Sequence, residues 1–147
     1  KDDILRAAIA QRLEIIDTML DEWNRNYPDA EGRLKRFVQV LINSRETTAR
    51  YGCPMGTLNA ELAKDQPELQ ELARALFDRF DNYLREQFET AHDGDTATAR
   101  RLALELLTRA QGVSMIAHVF GDPDLPAAQQ ASLDRWIEES LGAPGPG

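Results

Sequence analysis

Apolar residues recur at intervals of three and four along nearly the whole chain, and no stretch alternates apolar and polar residues over a strand's length. This pattern predicts an all-α fold of six helices. The first runs from about Asp2 to Asn24 and places Ile4, Leu5, Ala8, Ile9, Leu13, Ile16, Leu20 and Trp23 on one broad face. Asp2 and Asp3 stand in its first turn, where carboxylates suit the positive end of the helix dipole. Pro28 stops it, because the residue before a proline disfavours helical angles. The second helix, about Ala30 to Arg50, carries Leu34, Phe37, Val38, Leu41, Ile42 and Ala49 inward. Gly52 suits a left-handed cap, and Pro54 suits the first turn of a short third helix, about Pro54 to Lys64, striped by Met55, Leu58 and Leu62. Gln66-Pro67-Glu68 opens a fourth helix reaching about Ala91, with Leu69, Leu72, Leu76, Phe77, Phe80, Leu84 and Phe88 inward.

The fifth helix, about Thr96 to Phe120, differs from the others. Leu102, Leu106, Val113, Ile116 and Phe120 lie on one side, while Ala103, Leu104, Leu107, Ala110, Met115 and Ala117 cover much of the rest. A helix apolar nearly all round must be buried nearly all round. Its own subunit covers one side, so something else is expected to cover the other. Gly121-Asp122-Pro123 leads to the last helix, about Leu125 to Leu141, striped by Leu125, Leu133, Trp136, Ile137 and Leu141. No internal repeat or boundary interrupts residues 1–141, which read as one domain, and residues 142–147 read as a flexible Gly/Pro tail.

Composition narrows the function classes. The 147 residues suffice for one ordinary core without staples. Cys53 is the only cysteine, which rules out an intrachain disulfide and favours a reducing, cytoplasmic setting. No apolar run approaches the ~20 residues that cross a bilayer, so no membrane role is expected. A net charge of −8 repels phosphate backbones, so any binding to DNA must belong to another segment. The chain also opens without Met, and the expectation is that residues precede Lys1.

Three segments carry a resemblance. Tyr51-Gly52-Cys53-Pro54-Met55-Gly56-Thr57-Leu58-Asn59-Ala60-Glu61-Leu62 resembles the junction before the short pocket helix of TetR/AcrR-type transcriptional regulators. Leu106-Leu107-Thr108-Arg109-Ala110-Gln111-Gly112, followed by the Gly121-Asp122-Pro123 break, is similar to that family's long dimerisation helix. Lys1-Asp2-Asp3-Ile4-Leu5-Arg6-Ala7-Ala8 is similar to the start of the helix joining its DNA-binding head to its regulatory body. The resemblance spans essentially the whole chain and departs from the family in lacking a helix-turn-helix. It implies the C-terminal body of a homodimeric repressor: a six-helix bundle that dimerises through its last two helices. A small hydrophobic or aromatic effector would enter a cavity among the first five helices, and operator DNA would be met only through an absent N-terminal helix-turn-helix.

On the dimer face, Leu102, Leu106, Arg109, Gly112, Val113, Ile116, Val119 and Phe120 are expected to pack with Leu133, Trp136 and Ile137, so that two pairs of helices form an isologous four-helix bundle. Gly112 would allow close backbone approach, at a helix cost of ~1 kcal/mol relative to Ala. For the pocket, Leu13, Ile16, Trp23, Phe37, Leu41, Met55, Leu58, Phe77, Phe80 and Met115 are expected to supply an aromatic and thioether lining, with Arg45, Asn59, Gln111 and His118 as polar groups. Taken singly, each apolar residue also fits plain core packing, and Arg45 also fits a salt bridge to Glu61.

Other chemistries find little support. Cys53 precedes a helix start, where a dipole lowers a thiol pKa, but it has no resolving cysteine, and a small residue at a junction is the default. Glu89 and His92 have a carboxylate-bundle spacing without the further ligands such a site requires. Asp93-Gly94-Asp95 starts like a calcium loop but lacks its twelfth-position glutamate. There is no phosphate loop, no Gly-x-Ser-x-Gly, and no nucleophile beside a base, so neither a cofactor nor catalysis is expected. The reading from another class is a helical protein-interaction module, solidly packed with an exposed groove and no small-molecule ligand.

Overall fold

A computed structural model describes residues 2–142 and contains seven α-helices among them, with no strand. They are α1 (Asp2–Asn26), α2 (Ala30–Asn43), α3 (Arg45–Tyr51), α4 (Pro54–Asp65), α5 (Pro67–Ala91), α6 (Thr96–Phe120) and α7 (Asp124–Gly142). The all-α class and most boundaries follow the hydrophobic pattern. The expected second helix, however, is two helices broken at Ser44. The Ser44 hydroxyl donates to the Val40 carbonyl at 2.7 Å, a bond to the preceding turn that bends helices. Residues 143–147 of the expected tail lie outside the described residues, and Gly142 closes α7.

Local chemistry explains the other breaks. Asp29 caps α2, accepting from the Gly32 N–H at 2.9 Å. Asp95 caps α6 in the same way, and the Thr98 hydroxyl and N–H hold its carboxyl below the usual range. Gly121 ends α6 in the left-handed region at φ 58°.

The long helices α5 and α6 pack together at the centre. On α5 lie α1 and α4; on α6 lie α3 and α7; α2 packs against α7. Ile16, Leu20, Trp23, Leu34, Phe37, Phe80, Tyr83, Leu84 and Phe88 join Leu102, Ala103, Leu106, Leu133 and Ile137 in one buried core. A second cluster, Ile9, Leu62, Leu69 and Ala73, ties the start of α1 to α4 and α5. Small residues such as Ala99, Ala103 and Ala110 on α6 let α5 approach closely, which is why the largest core side chains come from the helices around α6.

Candidate functional site

A cavity of about 550 Å³ lies at the seam between α4 and α6. Gly52 builds one wall by turning the chain from α3 into α4 at φ 81°, ψ 178°, backbone that side chains beyond glycine rarely adopt. Cys53, Gly56, Thr57, Ala60 and Glu61 then follow the first turns of α4. The opposite wall is α6, through Thr108, Gln111, Gly112, Met115 and His118. The lining is predominantly apolar with a few convergent polar groups, the make-up of a small-molecule site.

Gln111 spans the seam. Its amide Nε2 donates to Cys53 Sγ at 3.5 Å, and its Oε1 lies only 2.9 Å from where a Cβ on Gly56 would stand. Glycine at 56 is therefore what lets the amide reach α4. His118 Nδ1 lies 3.2 Å from the Ala49 carbonyl oxygen, an acceptor, so that nitrogen carries the proton in this contact. It fixes α3 to α6 beside the cavity. A smaller cavity of about 170 Å³ opens on the other side of α4, where Leu5, Ile9 and Arg12 of α1 face Met55 and Leu58 of α4 and Leu76 of α5.

The expected pocket residues are scattered by this geometry. Gln111 and Met115 line the larger cavity and Met55 and Leu58 the smaller one. Ile16, Trp23, Phe37 and Phe80 are buried core, with Phe37 and Phe80 stacked at 5.6 Å between ring centroids, and Leu13 and Leu41 pack against that core. Phe77 is half-buried on α5 and lines neither cavity. Asn59 is structural: it donates to the Met55 and Ala73 carbonyls at 2.9 and 3.1 Å and accepts from Gln70 at 3.2 Å, tying α4 to α5. Arg45 makes no pair with Glu61. It donates to the Ile42 carbonyl at 2.8 Å across the Ser44 break, while Glu61 pairs with Lys64 at 3.5 Å.

The expected dimer face divides similarly. Leu102, Leu106, Leu133 and Ile137 lie inside their own protomer's core, so their surface is already covered. Val113 and Trp136 pack at its edge, with the Arg109 guanidinium 5.2 Å from the Trp136 ring centroid. Gly112, Ile116, Val119 and Phe120 remain exposed, as does Met115; Val119 is 65% and Phe120 76% exposed. Sequence reasoning missed Gly52, Gly56, Thr57, Ala60 and Thr108, because it sought large inward residues. The available signal was small residues on two facing helices, which leave space.

The described residues form an all-helical body with a central long helix, an apolar cavity against that helix and an exposed apolar stripe beside it. The family model for the Tetracyclin repressor-like, C-terminal domain matches residues 30–133. The chain belongs to this family, as the C-terminal domain of a TetR-type regulator. Such domains are regulatory and not catalytic. No curated protein matches the chain in sequence. No helix among the described residues is long and apolar enough to cross a membrane.

Proposed function

We propose that this domain is the effector-binding, homodimerising body of a transcriptional repressor that releases DNA when a small apolar or aromatic molecule binds. DNA is read by a helix-turn-helix joined to α1 and outside this chain, so the protein acts in the cytoplasm where that DNA lies. The observation that carries the reading is the cavity at the α4–α6 seam, with an apolar lining and the Gln111 amide, the His118 ring and the Thr57 and Thr108 hydroxyls at its edge. An aromatic ligand with one hydrogen-bonding group matches that lining.

The mechanism follows from what α4 touches. One side of α4 lines the cavity; Leu58 and Leu62 on its other side pack against Ile9 and Leu5 of α1. A ligand that parts α4 from α6 pushes α4 toward α1, and α1 carries the DNA-reading head. The ligand shifts the equilibrium only by its differential affinity for the two arrangements. Self-association is assigned to the exposed end of α6, where Met115, Ile116, Val119 and Phe120 stand within six residues.

A thermal-shift panel of neutral aromatic compounds tests the ligand. A binder at 100 times its Kd adds ~2.7 kcal/mol to the folded state, a rise of several degrees in melting temperature. Gln111→Ala is expected to diminish that rise. A panel that leaves the melting temperature unmoved overturns the effector reading.

A further inference from the structure

The polar groups around the α4–α6 cavity are mostly of one kind. His118 Nδ1 donates to the Ala49 carbonyl, so in the neutral ring Nε2 is left as an acceptor. The Gln111 amide nitrogen is engaged with Cys53 Sγ. Its Oε1 stands against Gly56 in the first turn of α4, where the positive end of a helix suits an oxygen, and with two lone pairs it can still accept from a ligand. Thr108 Oγ1 donates its hydrogen to the Leu104 carbonyl at 2.8 Å, which leaves it lone pairs alone. Glu61 adds a carboxylate, paired with Lys64 at 3.5 Å, both exposed. Among the described residues no lysine or arginine lines the cavity. The Thr57 hydroxyl and the Cys53 thiol are the lining side-chain groups left with a hydrogen to donate.

Two of these acceptors have a fixed spacing. Gln111, Met115 and His118 follow one another at four and three residues on α6. At about 100° and about 1.5 Å per residue they fall within about 60° of one another around the axis and span about 10 Å along it. Met115 therefore lies between the two acceptors, and its thioether offers a polarisable surface to an aromatic face. We infer that the effector is a flat aromatic molecule with hydrogen-bond donors at opposite ends, a diol or a diamine. It lies along α6 over Met115 and gives one donor to Gln111 Oε1 and the other to His118 Nε2. This deepens the reading of the cavity as an effector site and rests on it. A carboxylate, sulfate or phosphate is excluded, because it sets lone pairs against lone pairs and brings negative charge toward Glu61 in a chain of net charge −8. A ligand with acceptors alone is disfavoured too, since it strips water from both groups and returns no hydrogen bond.

Three naphthalenes test this by calorimetric titration into the full chain at about pH 8, above the ordinary range for histidine. They are the diol with hydroxyls at opposite ends, the difluoride of the same pattern, which has no donor, and the corresponding dicarboxylate. The diol is expected to bind about tenfold tighter than the difluoride or better, the sum of two modest hydrogen bonds, and the dicarboxylate not to bind. Gln111→Met and His118→Phe each remove one acceptor at similar size, and each should cut the diol's advantage several-fold. The readout is the ratio of two compounds on one protein, so a loosened fold that weakens both alike leaves it unmoved, and the comparison on the unaltered chain needs neither variant. Four results overturn this inference and leave the cavity an effector site: a difluoride that binds as tightly as the diol, a dicarboxylate that does so, an advantage undiminished in either variant, or binding by other neutral aromatics where the diol fails. If neither these compounds nor the neutral aromatic panel binds, both readings fall.

Discussion

Gly52 shows how much one residue determines here. At φ 81° and ψ 178° it holds the α3–α4 turn in a conformation nearly restricted to glycine. An added Cβ would also lie 3.1 Å from Thr57 Oγ1 and 3.5 Å from the His118 ring. Gly52→Ala is expected to cost on the order of 1–3 kcal/mol, read as a lower midpoint in urea unfolding; an unchanged midpoint would show that the turn is free to relax. Asp134 is the opposite case, a residue whose charge works against the fold. Burial raises its carboxyl above the usual range of about 3.8, Lys35 pulls it back down, and Glu138 raises it further. One of its oxygens is buried with no hydrogen-bond partner. A folded pKa above the unfolded value means that its contribution is present at low pH and lost as pH rises through the carboxylate range. Asp134→Asn should therefore melt at or above the unaltered protein at neutral pH, and the two should converge below about pH 4. A variant that melts lower at pH 7 would show that the Lys35 attraction outweighs burial.

At the scale of elements, periodicity marked where helices run but not where one bends. Residues 30–50 read as one helix across the break at Ser44 between α2 and α3, although the apolar stripe lapses there, from Ile42 to Ala49. The cause is a polar side chain bonding to its own helix, which hydrophobic spacing does not register. The apolar pattern set the long α6 apart from the other helices, and its C-terminal end is exposed at Met115, Ile116, Val119 and Phe120. Which residues of α6 and α7 face outward was not legible, since Leu102 and Leu133 look the same in sequence whether a neighbour belongs to their own protomer or to another. The cavity was least legible. It is defined by Gly52, Gly56 and Gly112, whose contribution is to occupy little space. Helix punctuation was legible in part: Pro54 stands in the first turn of α4 as expected, whereas Gly52 has a positive φ with an extended ψ and not the left-handed cap expected of it, and the cap at Asp29 was not read from the sequence. Asp29 accepts from Gly32 N–H at the start of α2, and Asp29→Ala is expected to cost ~1 kcal/mol with Asp29→Ser recovering most of it. Equal losses in both variants, measured by denaturant unfolding, would assign the effect to the adjoining Tyr27–Pro28 turn instead.

For the whole molecule, the packing of α1 decides how a signal could leave the body. The N-terminal half of α1 packs through Ile9 on Leu62 of α4 and on Leu69 and Ala73 of α5, and its C-terminal end is anchored by polar groups. Tyr83 of α5 donates its hydroxyl to Asn24 Oδ1 at 3.0 Å and meets Trp23 edge-on at 5.8 Å between ring centroids. Arg33 of α2 donates to the carbonyls of Tyr27 and Asn24 and to Gln87 of α5, joining the end of α1 to two neighbours. With its Trp23 end fixed by these bonds and its other end packed on α4 and α5, α1 is placed to act as a lever, and displacement of α4 is expected to move the Asp2 end of α1 more than the Trp23 end. Alkaline titration tests the anchor. Burial pushes the Tyr83 hydroxyl up to about 12, above the usual value of 10. The neutral hydroxyl is thus the form the fold prefers, and its contribution is complete below pH 10 and is lost as pH rises from 10 to 12. Melting temperature should decline across that window, with a matching change in Trp23 emission. Tyr83→Phe, which removes the titrating group and one hydrogen bond of ~1 kcal/mol, should start lower and decline less. A variant whose alkaline decline parallels that of the unaltered chain would mean that Tyr83 does not hold this end of α1, and the fixed point of the lever would have to be sought in the Arg33 network.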